Sequence, residues 1–174
     1  AGMPRYDCLS NRVGRPDYAI GWAKFYSRLG KPFLKPKSMS NIRHSFISVI
    51  TVLQSPRQIT QLKAWLSGLH AELSAQFSDY EFVLVNNHCP VTEIDEAIKP
   101  LPEDLRKNIF MLNLSTPVSR DNALLAGLDR ANGDYTAVFE FDFADQPQVI
   151  TQLWERSQQG YDVVYLRARE RRLP

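Results

Sequence analysis

Cysteine is scarce in this chain: Cys8 and Cys89 lie far apart with no metal-ligand spacing. That excludes a disulfide framework and points to a reducing compartment. No stretch approaches the ~20 uninterrupted apolar residues of a membrane-spanning helix. The N-terminus lacks an apolar core followed by a small-residue cleavage site, so no secretory leader is expected. Neither Gly-x-Gly-x-x-Gly nor Gly-x-x-x-x-Gly-Lys occurs, which argues against dinucleotide-binding and P-loop enzymes. The three histidines, His44, His70 and His88, share no ligand spacing. His88 adjoins Cys89, but adjacency does not supply the base and orienter that a Cys/His nucleophilic pair needs.

What remains is an ordinary globular composition: 174 residues, 44% hydrophobic and 23% charged, enough for one domain with a real core. The net charge of +2 hides an asymmetry. Residues 1–45 carry nine Lys/Arg against two Asp/Glu; residues 46–166 carry eight against sixteen; residues 167–174 carry four Arg against Glu170. With no basic stripe on the acidic body, a nucleic-acid partner is not expected. The body suits a collector of cations. The basic ends suit either an anionic membrane surface or plain solvent. A cytoplasmic protein, peripheral on the cytoplasmic membrane face, is the matching location.

Residues 1–45 read as a basic extension. Tyr18, Trp22, Phe25, Tyr26 and Leu29 follow the spacing of one helix face, predicting a short amphipathic helix over 17–29, capped by Asp17 and stopped at Gly30. Such a helix fits a membrane interface and equally a site on its own domain or a second subunit; the oligomeric state is not legible. Residues 31–45 are a Pro/Lys/Ser-rich linker.

From residue 46 to 174 the pattern is that of an α/β domain. Phe46–Leu53 is a β-branched apolar run, the mark of a strand buried on both faces. Ser55 and Pro56 begin a helix to about Phe77, with Ile59, Leu62, Leu66, Leu69 and Leu73 inward. Strands follow at Tyr80–Asn86, Ile109–Leu114, Tyr135–Asp142 and Tyr161–Leu166. Between them lie short helical pieces over 92–107, a helix Val118–Asn132 ended by a left-handed Gly133, and a helix Pro147–Gln159 ended by Gly160. This alternation means a mainly parallel sheet with helices on both faces. Ligands of such sheets bind beyond the carboxyl ends of the strands, here the loops after Leu53, Asn86, Leu114 and Asp142.

The last of these loops is acidic. If the strand runs to Asp142, Glu140 and Asp142 share one face, and Asp145 sits one turn on. Carboxylates at the edge of a buried strand are costly unless a positive group offsets their desolvation, and a divalent ion does so with oxygen ligands. Asp145 fits equally well as the cap of the helix that starts at Pro147.

At this point the chain resembles the inverting family-2 glycosyltransferases. The residues are Ala123-Leu124-Leu125-Ala126-Gly127-Leu128-Asp129-Arg130-Ala131-Asn132-Gly133-Asp134-Tyr135 and Glu140-Phe141-Asp142-Phe143-Ala144-Asp145-Gln146-Pro147-Gln148. They are similar to the helix and metal motif of the branch acting on polyprenyl phosphate. Ile47–Val52 and Tyr80–Val85 resemble that family's first two strands, and Gly160–Tyr165 with Arg167, Arg169, Arg171 and Arg172 its fifth strand and basic segment. The resemblance implies the nucleotide-binding half of a glycosyltransferase A-type, Rossmann-like fold. It implies a UDP- or GDP-sugar across the strand ends, Mg²⁺ or Mn²⁺ held by Glu140 and Asp142, and Asn86 and Asn87 at the nucleoside. Arg120 stands near a missing phosphate-contacting Arg, and Arg169 and Arg172 are suited to a donor or acceptor phosphate. The acceptor it implies is a polyprenyl phosphate or a glycan.

The chain also departs from that pattern. Asn86-Asn87 stands where the family has Asp-Asp, Glu140 where it has Asp, and Ser115-Thr116-Pro117-Val118-Ser119 where it has Ser-Arg-Asn-Phe-Gly. These departures keep a second reading open, a non-catalytic relative serving as a binding or assembly module. A third is a membrane-surface adaptor acting through residues 17–29.

Overall fold

The computed structural model describes residues 6–11, 23–27 and 42–168. Seven strands form one sheet: β1 (Tyr6–Asn11), β2 (Ala23–Ser27), β3 (Arg43–Leu53), β4 (Phe77–Asn86), β5 (Ile109–Asn113), β6 (Tyr135–Phe139) and β7 (Val163–Ala168). Their spatial order is β1-β7-β2-β6-β3-β4-β5. Four neighbouring strands, β6-β3-β4-β5, are parallel and run from the middle of the sheet to its β5 edge. From β3 the chain steps outward to β4 and β5, then returns to place β6 on the other side of β3. That reversal is a topological switch point, where adjoining loops part and leave a crevice.

The helices divide between the two faces. Helices α1 (Pro56–Gln76), α2 (Val91–Ile98), α3 (Glu103–Arg106) and α5 (Val149–Ser157) supply the larger core, and α4 (Arg120–Arg130) covers the other face. The expected inner residues of α1 are all buried, joined by Trp65. Burial of each such side chain contributes about 1.5–3 kcal/mol. The Trp65 ring lies 5.9 Å from Phe82, 6.4 Å from Phe139 and 5.2 Å from Phe141, so one side chain joins α1, β4 and the end of β6. The smaller core is aliphatic, built from Ile50, Val52, Val83, Val85, Ala123 and Ala131. Gly127 permits this close seat for α4: a Cβ there would come within 2.7 Å of Ile50 and 2.8 Å of Val85.

Several expectations are corrected. The centre of the helix expected over 17–29 is instead strand β2, antiparallel between β6 and β7. Phe25 and Tyr26 favour strands as well as an amphipathic helix, and the slot offers backbone partners on both sides. The remainder of 17–29 lies outside the described residues, and the helix no longer supports a membrane-surface partner. The sheet is therefore parallel from β6 to the β5 edge and antiparallel from β6 to β1. Gly133 is not a left-handed cap. Gly160, at φ 89°, is. A Cβ on Gly133 would fall 2.6 Å from the Ser48 amide nitrogen and 2.8 Å from the Phe46 carbonyl oxygen, so close approach of backbones requires this glycine. Its amide donates to Ser48 Oγ at 2.8 Å, and Ser48 Oγ donates to buried Glu81 at 2.6 Å. Asp134 accepts the Phe46 amide at 3.0 Å. The Gly133-Asp134 pair thus fastens β6 to β3 at the amino end of the sheet, away from the crevice.

Candidate functional site

At the switch point lies a cleft of about 570 Å³, lined by Arg57, Gln58, Gln61, Glu140, Phe141, Asp142, Ala144 and Asp145. One wall is the start of α1, immediately after β3; the other is the turn after β6. The first wall is fixed locally. Ser55 is extended, Pro56 occupies the first turn, and Gln58 Oε1 accepts the backbone amides of Gln54 at 2.8 Å and Ser55 at 3.1 Å. The second wall is held by Trp65, whose Nε1 donates to the Glu140 carbonyl at 3.4 Å.

The acidic residues are arranged differently from the expected strand. β6 ends at Phe139, and Phe141–Phe143 form a 3₁₀ turn, so Glu140 and Asp142 do not project from one strand face. Phe141 and Phe143 are buried, and this pulls the backbone into the turn. Glu140 is mostly buried and ion-paired to Arg120. Burial pushes its carboxyl above the usual carboxylate range, the Arg120 guanidinium opposes that rise, and Asp142 adds to it. Asp142 and Asp145 are exposed and have no hydrogen-bond or ion-pair partner among the described residues. Among the described residues no group of three or more His, Cys, Asp or Glu side chains converges to hold a metal.

The loop after β4 is closed on itself. Asn86 is buried; its Nδ2 donates to Asn113 Oδ1 at 2.9 Å and to the Cys89 carbonyl at 3.0 Å, while its Oδ1 accepts the Cys89 amide at 2.7 Å. Asn87 donates to the Val118 carbonyl at 2.8 Å and accepts the Val118 amide at 2.9 Å, tying this loop to the segment that starts α4. Both amides are therefore engaged by the protein itself. His88 follows them at φ 71°, a left-handed conformation that His tolerates better than most side chains. Burial pushes the Cys89 thiol up, with Glu93 adding to it, which disfavours the nucleophilic thiolate.

Arg120, expected at a phosphate, is engaged by Glu140. Arg169 and Arg172 lie outside the described residues. Sequence reasoning missed Arg57 and Gln61. Their spacing of four residues, at the start of the helix after β3, was the available signal.

This α/β sheet carries its cleft at the switch point, where ligands of open α/β sheets bind. The model for glycosyl transferase family 2 matches residues 62–173, more than half of the chain, and the chain belongs to that family. It is 29% identical over 133 residues to an uncharacterised glycosyltransferase of Synechocystis, covering 75% of this chain and 34% of that protein. It is 27% identical over 135 residues to an undecaprenyl-phosphate 4-deoxy-4-formamido-L-arabinose transferase of Aeromonas hydrophila, covering 76% and 40%. Its likeness to the transferase of the same name from Photorhabdus laumondii is 28% over 93 residues, covering 53% and 28%. The chain spans well under half the length of these relatives. Among the described residues no helix is long and apolar enough to cross a membrane.

Proposed function

We propose that this chain carries the donor-binding part of a transferase that moves a sugar from a UDP- or GDP-sugar to a polyprenyl phosphate. The observation that carries the reading is the cleft at the switch point, with Asp142 and Asp145 on its wall, unpartnered among the described residues, inside the segment matched to family 2. The undecaprenyl phosphate in its relatives' names supports the acceptor class.

The donor set fits a divalent cation. Mg²⁺ or Mn²⁺ takes hard oxygen ligands, typically one or two carboxylates plus substrate phosphates, and Asp142 and Asp145 offer such oxygens. Glu140, engaged by Arg120, fits less well, so the proposed ligands are Asp142 and Asp145 rather than Glu140 and Asp142. When bound, the ion neutralises charge developing on the departing nucleoside diphosphate. The Arg120–Glu140 pair sets the position of the turn that carries Asp142. Asn86 and Asn87 shape the nucleoside side of the crevice through the loop they hold, not through free amides. A phosphate acceptor arrives already ionised, so the chemistry does not demand a strong general base.

The second reading, a non-catalytic relative, is favoured by the internal engagement of Asn86, Asn87 and Glu140. Calorimetric titration of UDP and of GDP, with and without Mn²⁺, separates the two. Metal-dependent binding of one nucleotide, abolished by Asp142→Ala, is the expected result. Absence of binding to both at millimolar concentration would sink the transferase reading.

A further inference from the structure

We infer that Arg57 is the residue that grips the donor's diphosphate. This rests on the donor-binding reading of the same cleft. A nucleoside diphosphate brought against Asp142 and Asp145 meets like charge, so the protein has to answer with a cation besides any metal. Arg120 is engaged by Glu140. Among the described residues lining the cleft, Arg57 is the only Lys or Arg, and its guanidinium has no partner among the described residues.

Stability does not account for its placement. Arg57 is exposed in the first turn of α1, where the helix dipole disfavours a positive side chain. No intrahelical carboxylate offsets this, since the first turn has no acidic residue. A guanidinium fork matches two phosphate oxygens at once, which the point charge of a lysine does not. The backbone beneath it is pinned by Gln58, so the fork starts from a fixed base. Gln61, one turn further along the same wall, also has an uncommitted side chain among the described residues. It is placed to accept or donate to whatever the diphosphate carries.

The test is calorimetric titration, with Mn²⁺ present, of UDP, UMP and uridine and of the matching guanosine series. The proteins compared are the unaltered chain, Arg57→Ala and Arg57→Lys. The unaltered chain is expected to bind the diphosphate well above the nucleoside. Arg57→Ala should lose at least tenfold in diphosphate affinity and nothing for the nucleoside, with Arg57→Lys in between. Equal diphosphate affinity in Arg57→Ala and the unaltered chain overturns the inference while the donor-binding reading stands. Failure of the unaltered chain to bind any of the six ligands overturns both. Because Arg57 is exposed, an unchanged thermal midpoint in Arg57→Ala confirms that affinity, not folding, is being read.

Discussion

The loops after β4 and after β6 sit at the same end of the same sheet and treat their polar groups in opposite ways. In the first, Asn86 and Asn87 direct every amide hydrogen bond described for them at Cys89, Asn113 and Val118. In the second, Asp142 and Asp145 line the cleft with no partner among the described residues. A polar side chain satisfied by its own protein mainly holds architecture, because removing it strands the groups it served. A charged one left open beside a cavity costs little when removed and is available to a ligand. Residue type alone does not make this distinction; the partners do.

The contrast can be broken by substitution. Asn86→Ala should have the largest effect on stability, about 1–3 kcal/mol in denaturant unfolding, since it strands the Cys89 amide in a half-buried loop. A loss near zero would mean the loop re-forms without it. Asn87→Ala should cost about 1 kcal/mol, because water reaches the Val118 groups it releases. Glu140 gives a pH signature. Its raised carboxyl means the folded chain keeps that proton to higher pH than the unfolded chain does. Its contribution to stability therefore falls as pH rises from the ordinary carboxylate range through the raised value. The stability difference between the unaltered chain and Glu140→Gln, followed from about pH 4 to about pH 8, should decline in that direction and then level. A rise would show that Arg120 outweighs burial. Smallest of all, Asp142→Ala and Asp145→Ala should change stability by no more than about 0.5 kcal/mol. A larger loss would move these two into the architectural group.

Much of the fold was legible because burial imposes periodicity. The apolar run that became β3, the leucine spacing of α1 and the stop at Gly160 each report a local constraint. The site was less legible because its decisive contacts join residues far apart in sequence. Asn86 meets Asn113, Asn87 meets Val118, and Arg120 meets Glu140; a linear pattern shows none of these. Asp142 was found because acidic residues clustered near a strand end. Arg57 was passed over because an arginine early in a helix has no pattern of its own. The expected helix over 17–29 failed for a related reason. Its aromatic spacing suited a helix face, but the vacancy between β6 and β7 decided the conformation of Ala23–Ser27.

That placement has a consequence for how the chain is made. Ala23 pairs with Phe139 and Tyr26 with Val163, so β2 leaves the ribosome long before either neighbour exists. The parallel run from β3 through β4 to β5 can pair within itself much earlier. During synthesis β2 waits with both backbone edges open, a template for mispairing until the residues of β6 and β7 emerge. Assembly on this side of the sheet therefore comes late, and its slow step is a search between distant parts of the chain, with loop closure at stake rather than local propensity.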